Sequence, residues 1–186
     1  KNRKQKINNV TIKRLPSTYR GKSLLSQAIN YVTFYISCVT KARFVKKRFD
    51  LVINNETSPI TSIKGGLIVA KRQNIPSVNY VLDLWPDSLL TIKSIEETSI
   101  IYKFFDWYSK RIYKSSSQTW ITSESFKPFL VNMGCVDETI RYIPNYFSPS
   151  NSYNPQIAKE NLIPISKYRI LFAGNVGKAQ GLDTLV

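Results

Sequence analysis

Two carboxylates and an indole fall close together in the run Asp83-Leu84-Trp85-Pro86-Asp87. A carboxylate can orient a hydroxyl or take its proton, and an indole offers an apolar face and one N–H donor. A second group is Gly174-Asn175-Val176-Gly177-Lys178-Ala179-Gln180-Gly181. A Gly-rich turn between a strand and a helix presents backbone N–H groups and a positive helix end to phosphate. Its spacing matches neither the P-loop nor the dinucleotide fingerprint. Each group also has a plainer reading. Asp87 suits the first turn of any helix, and glycines serve ordinary tight turns. The chain has no His, which removes a Ser-His-Asp triad, a Cys-His dyad and any His-ligated metal from consideration within it.

The elements around these residues alternate. Ser77–Leu82 has the β-branched and aromatic content of a buried strand, so Asp83, Trp85 and Asp87 sit just past its C-terminal end. In open α/β sheets ligands bind at that edge. Pro86 is placed to begin a helix with Asp87 in its first turn. Before this strand come a strand at 49–54, a loop at 55–59 and a helix at 60–72 carrying Gly65-Gly66. That is βαβ spacing and predicts parallel neighbours. After it, Ser94-Ile95-Glu96-Glu97 is a capping-box candidate. It opens a helix to about residue 115, with Ile100, Ile101, Phe104, Trp107, Tyr108 and Ile112 inward and Lys103, Lys110, Arg111 and Lys114 solvated. A strand at 118–122, a helix opened by Ser123-Glu124-Ser125 and ended by Gly134, and a strand at 139–143 continue the alternation. Residues 147–167, rich in Pro, Ser and Asn, read as a linker. Residues 168–173 then form a fresh strand, and the Gly-rich turn leads into a helix starting at Leu182. The fold class is α/β, a Rossmann-like doubly wound parallel sheet. The domains are 1–146, the linker 147–167, and the start of a second domain at 168–186. The chain reads as a piece of a longer protein.

Residues 1–49 hold 13 Lys or Arg and no Asp or Glu, while the other residues are nearly balanced. The net charge of +15 is therefore local, and such a region seeks an anionic membrane, nucleic acid or acidic ligands. Within it lies a short strand candidate at 10–12, then a loop at 15–22. Residues 23–41 form a helix. Ser26, Asn30, Thr33, Ser37 and Thr40 make one narrow polar stripe on it, and the rest is apolar. Such a helix is either buried or laid against a membrane surface. It is too short and polar to span one. Lys41, Arg43, Lys46, Lys47 and Arg48 follow it, which suits anionic lipid; the plainer reading is a core helix whose dipole is met by terminal cations. Cys38 and Cys135 share no motif, and two unpatterned cysteines fit a reducing compartment better than a disulfide.

Several stretches together resemble the retaining glycosyltransferases of family 4, which have the GT-B fold, and most of all the bacterial branch that builds O-antigen and capsule. They are Phe49-Asp50-Leu51-Val52-Ile53 with Thr57-Ser58-Pro59, then Asp83-Leu84-Trp85-Pro86-Asp87, then Ile143-Pro144-Asn145, and last Phe172-Ala173-Gly174 through Gly181-Leu182. Their order and spacing match across nearly the whole chain.

The resemblance implies two Rossmann-like domains facing a cleft, an acceptor domain followed by one that binds a nucleotide-sugar donor. Transfer would retain configuration and need no metal or other cofactor. By position, Asp83 is the catalytic candidate. Ser58, Trp85 and Asp87 would line the acceptor side, and Gly174, Asn175, Gly177 and Lys178 the donor diphosphate. The expected acceptor is a lipid-linked saccharide in cell-surface polysaccharide synthesis, and a UDP-linked amino sugar is the donor the related enzymes suggest. The expected location is cytoplasmic, peripheral on the inner face of the plasma membrane through residues 1–49. Leu82 stands where many such enzymes carry a His, and their acidic motif of two Glu would lie beyond Val186. The chain thus corresponds to most of an acceptor domain plus the first strand and turn of a donor domain, and is expected to be inactive alone. Other readings are a basic α/β module that binds nucleic acid or a membrane surface without catalysis, and a glycosidase-like use of Asp83 and Asp87 as a carboxylate pair. No nucleic acid is expected, because the aromatics do not interleave with the basic residues in a reader pattern.

Overall fold

The computed structural model describes residues 3–90, 95–145, 172–174 and 182–184. The chain divides into two compact units, Lys1–Pro144 and Asn145–Val186. In the second unit Phe172, Ala173 and Gly174 are described outside any strand, and Leu182–Thr184 form one 3-10 turn. The rest of the predicted strand 168–173, the linker 147–167, and Asn175, Gly177 and Lys178 lie outside the described residues.

The first unit is α/β. Strands β3 (Val52–Glu56), β4 (Ser77–Val81), β5 (Gln118–Ile121) and β6 (Ile140–Tyr142) form a parallel sheet in that order. The helices between them are α2 (Lys64–Gln73), α3 (Ile100–Tyr113) and α4 (Phe126–Asn132). Each crossover advances in the same direction, so right-handed connections place all three on one face. This is the Rossmann-like arrangement expected from the alternation. The core lies between that face and the helices. It joins Ile63 and Leu67, Val81 and Ile121 of the sheet, Ile112 and Tyr113, Leu130, and Trp85 from the loop after β4.

Local chemistry sets the helix ends. Asn74 closes α2 in the left-handed region at φ 52°, and the Ile75 N–H reaches back to the Ala70 carbonyl at 3.1 Å. Gly134 does the same for α4 at φ 95°, with the Cys135 N–H on the Leu130 carbonyl at 2.9 Å. Both are Schellman closures, which favour Gly or Asn.

Gly66 is a close approach. A Cβ there would meet the Asn54 side chain and Val52, and Asn54 is buried with its Nδ2 donating to Asn79 Oδ1 at 3.0 Å. Gly66→Ala gains up to about 1 kcal/mol of helix propensity, but overpacking costs about 1–3 kcal/mol. The expected result is a lower urea midpoint; an unchanged or higher one would mean Asn54 yields without cost.

Several expectations need correction. Strand β3 runs later than the predicted 49–54, because its register is fixed by Val52↔Ser77 through Glu56↔Val81. Glu56, expected in a loop, is therefore a fully buried strand residue. The helix predicted from Ile60 begins as a 3-10 turn over Ile60–Ile63. Pro86 begins only a single 3-10 turn, Asp87–Leu89. Helix α3 starts at Ile100, capped by the Ser99 hydroxyl accepting the Tyr102 N–H at 3.1 Å; Ser94, from which the capping box was expected, lies outside the described residues. Ile100, Ile101, Phe104 and Trp107 point outward, Ile100 being 87% and Trp107 52% exposed. The inward side of α3 instead carries Phe105, Tyr108, Ser109, Ile112 and Tyr113. Lys103, Arg111 and Lys114 are exposed as expected, whereas Lys110 pairs with Asp106 at 2.8 Å.

Helix α1 (Leu24–Arg43) is capped by Ser23. Its polar stripe is the covered one. The Asn30 amide donates to the Thr18 carbonyl, the Thr18 N–H donates to the Thr33 hydroxyl at 3.2 Å, and the Gly21 N–H donates to Ser26 Oγ at 2.8 Å. The segment around 17–21 thus straps across it. Another side meets α2, where Gly65 lies against Cys38. Leu25, Ile29, Val32 and Ile36, at helical spacing, remain exposed. Only Ala42 of α1 is fully buried, so α1 is not a core helix. Before it, β1 (Lys4–Ile7) and β2 (Val10–Lys13) pair antiparallel around Asn8, which turns at φ 51°.

Candidate functional site

The C-terminal edge of the sheet is built by two loops. One follows β3 and carries Thr57, Ser58 and Pro59. The other follows β4 and carries Asp83, Leu84, Trp85 and Pro86. Each holds one cis peptide bond, Ser58–Pro59 and Trp85–Pro86. Strands β3 and β4 are hydrogen-bonded neighbours, which is why residues 25 apart in sequence meet here.

Asp83 is half-buried. Its Oδ2 accepts the Ser58 N–H at 3.0 Å and the Ser58 hydroxyl at 2.8 Å. Ser58 Oγ in turn accepts the Trp85 indole N–H at 3.1 Å. Among the described residues Ser58 alone hydrogen-bonds the Asp83 carboxylate, which leaves Oδ1 able to accept from a ligand hydroxyl. Trp85 is 5% exposed and packs its ring on Phe105, centroids 5.2 Å apart. The indole is therefore a fixed support beneath Ser58 rather than a free stacking surface.

Three of the predicted acceptor-side residues, Ser58, Asp83 and Trp85, come together. Asp87 does not join them. Its Oδ1 accepts the Tyr102 hydroxyl at 2.8 Å, so it ties the loop to α3. Burial first, then the Asp87 hydrogen bond and charge, raises the Tyr102 pKa above the ordinary tyrosine value. Each of the two aspartates is held by its own partner on a different element, an arrangement that does not favour a glycosidase-like pair. Gly174 is exposed in the second unit, and the other donor-side candidates are not described.

Beside Ser58 opens a cavity of about 490 Å³ between α1 and the end of β3. Asn30, Tyr31 and Phe34 line one side, and Asn55, Thr57 and Ser58 the other. Among the described residues the lining has amides, hydroxyls and two aromatic rings but no charged side chain. Sugars are bound by that combination: hydroxyls pair with amides and hydroxyls, and their C–H faces pack on rings.

Sequence reasoning missed Glu56 and Tyr113. Glu56 is 0% exposed, and Tyr113 donates its hydroxyl to Glu56 Oε1 at 2.9 Å. That same hydroxyl accepts the Trp85 backbone N–H at 3.1 Å. Burial raises the Glu56 pKa to about 8, with the Tyr113 hydrogen bond pulling it down less strongly and the Asp83 charge adding to the rise. A lone Glu at a strand end carries no sequence signal of burial.

Both thiols are free. Burial raises the Cys135 pKa, opposed by the Thr119 hydrogen bond, and burial likewise raises that of Cys38, opposed by a Gly65 backbone hydrogen bond. Neither is an activated nucleophile. Among the described residues no group of acidic or sulfur ligands is arranged to hold a metal, and no helix is long and apolar enough to cross a membrane. A scan of protein-family models finds no match to the chain, and no curated protein matches it.

Proposed function

We propose that this chain carries the acceptor side of a glycosyltransferase that moves a sugar from a nucleotide-sugar donor to a lipid-linked saccharide. The observation that carries this reading is the Asp83–Ser58–Trp85 constellation at the C-terminal edge of a parallel sheet, opening beside an uncharged cavity of sugar-binding character. An acceptor hydroxyl resting on Asp83 is oriented toward the donor anomeric carbon. The new bond joins the acceptor oxygen to that carbon. The bond from the anomeric carbon to the phosphate oxygen breaks, and the nucleoside diphosphate leaves with its electron pair. The acceptor proton ends on a phosphate oxygen of the leaving group. Donor phosphates are assigned to Gly174, Asn175, Gly177 and Lys178, where backbone N–H groups and one cation offset the developing charge. The experiment is release of nucleoside diphosphate from a panel of UDP-, GDP- and TDP-sugars, by the full gene product, with vesicles bearing polyprenyl-diphosphate saccharides. Release that depends on the lipid-linked acceptor supports the reading; release absent with every donor contradicts it.

The exposed face of α1 favours a membrane-surface location for this activity. Leu25, Ile29, Val32 and Ile36 form an exposed apolar stripe. It leads to Arg43, Lys46, Lys47 and Arg48, all exposed, in a region without acidic residues. Each cation near an anionic leaflet contributes about 1 kcal/mol. The chain is expected to co-sediment with vesicles containing phosphatidylglycerol at low salt, and Ile29→Glu with Val32→Glu to lower the partition constant at least about tenfold. Equal partition of the double variant would remove α1 from the contact.

A further inference from the structure

We propose that Glu56 is a positioning residue for the Asp83 site, acting through the Tyr113 hydroxyl and the Trp85 loop. The contacts form a closed ring. Glu56 Oε1 accepts from Tyr113, Tyr113 accepts from the Trp85 N–H, the Trp85 indole donates to Ser58, and Ser58 donates to Asp83. Ser58 is two residues beyond Glu56 on the same segment, which closes the circuit. The ring spans β3, α3 and both site loops, so shifting Tyr113 shifts the support beneath Asp83.

The burial of Glu56 favours its neutral form. The titratable groups around it are Tyr113 from α3, Asp83 from the loop after β4 and Cys135 after α4. None is a cation. Neither described ion pair includes Glu56, and among the described residues its buried Oε2 has no hydrogen-bond partner. An ionised Glu56 would therefore be a buried, unpaired charge facing Asp83. Burial holds the carboxyl protonated at neutral pH, with a pKa of about 8. The folded-state value lies above the ordinary one, so the stabilisation is full below the ordinary carboxylate range and is lost as pH rises through about 8.

The inference rests on the acceptor reading for its effect on transfer, but its test needs no activity. The chain is labelled at the glutamate side-chain carboxyls and titrated by NMR. It has six Glu. One is expected to titrate near 8, with that signal absent in Glu56→Gln. The Trp85 indole N–H signal should move over the same step in the wild-type chain. In Glu56→Gln, which still accepts from Tyr113 but has no proton to lose, it should stay fixed. In Tyr113→Phe it should sit displaced on both sides of the step. The lack of any glutamate signal titrating near 8, or a Trp85 signal that ignores the Glu56 step, would overturn the proposal. A transferase that failed its own assay would leave these signals unaffected.

Discussion

Asp83→Asn is expected to lower kcat for sugar transfer about a hundredfold, the loss that follows when a reacting group is misplaced by about 1 Å. Asparagine keeps the shape of the site. Its carbonyl can still accept from the Ser58 N–H and hydroxyl, which now contact Oδ2 at 3.0 and 2.8 Å. It brings no negative charge, and toward the acceptor hydroxyl it turns an amide NH2, which donates, in place of a carboxylate oxygen that accepts. The loss should therefore fall on kcat, with KM for the lipid-linked saccharide changing little. Ser58→Ala removes the hydroxyl but leaves the backbone N–H, and should cost less. A kcat for Asp83→Asn within about threefold of wild type, well short of a positioning loss, would remove Asp83 from the site.

Trp85→Ala is expected to destabilise the first unit by about 3–5 kcal/mol, the usual cost of emptying a large aromatic from a core. The ring is 5% exposed, packs at a tilt on Phe105 and belongs to the main apolar cluster. Its removal also leaves the Ser58 hydroxyl without its indole donor. Trp85→Phe fills most of the space and loses only that hydrogen bond, worth about 1 kcal/mol. Urea unfolding followed by circular dichroism separates the two. A loss below about 1 kcal/mol for Trp85→Ala would mean the site loop is not anchored by its indole.

The strand-helix alternation was legible because short β-branched and aromatic runs, such as Val78, Tyr80 and Val81, recur between turn residues and helical segments. The meeting of Ser58 with Asp83 follows from that alternation, since neighbouring parallel strands bring successive C-terminal loops side by side. Which residues face inward was less legible. In α3 the apolar pattern covers most of the circumference, and periodicity could not say that Ile100 and Trp107 lie outside while Phe105 lies within. In α1 the usual logic is inverted: a polar stripe is covered because the strap around Thr18 supplies the backbone groups it needs. Hydrophobicity reads burial by atoms of the core, and has no means of seeing a strap. The hairpin partner β1 went unread because Lys4–Ile7 has no apolar run, although Asn8-Asn9 offered the turn. Glu56 went unread because burial of a carboxylic acid depends on Tyr113, 57 residues away.

The most direct measurement is a titration of the chain with short-chain alkyl glycosides, hexosides and N-acetylhexosaminides, followed at the three Trp indole N–H signals. The Trp85 indole donates to Ser58, which lines the cavity and donates to Asp83. Trp107 is on the outer face of α3, and Trp120 is on β5 against Tyr80. A saccharide held on Asp83 should shift the Trp85 signal saturably and leave the other two in place, with the shift lost in Asp83→Asn. Saccharides that leave Trp85 unmoved, or move only Trp107 or Trp120, would contradict an acceptor site at Asp83.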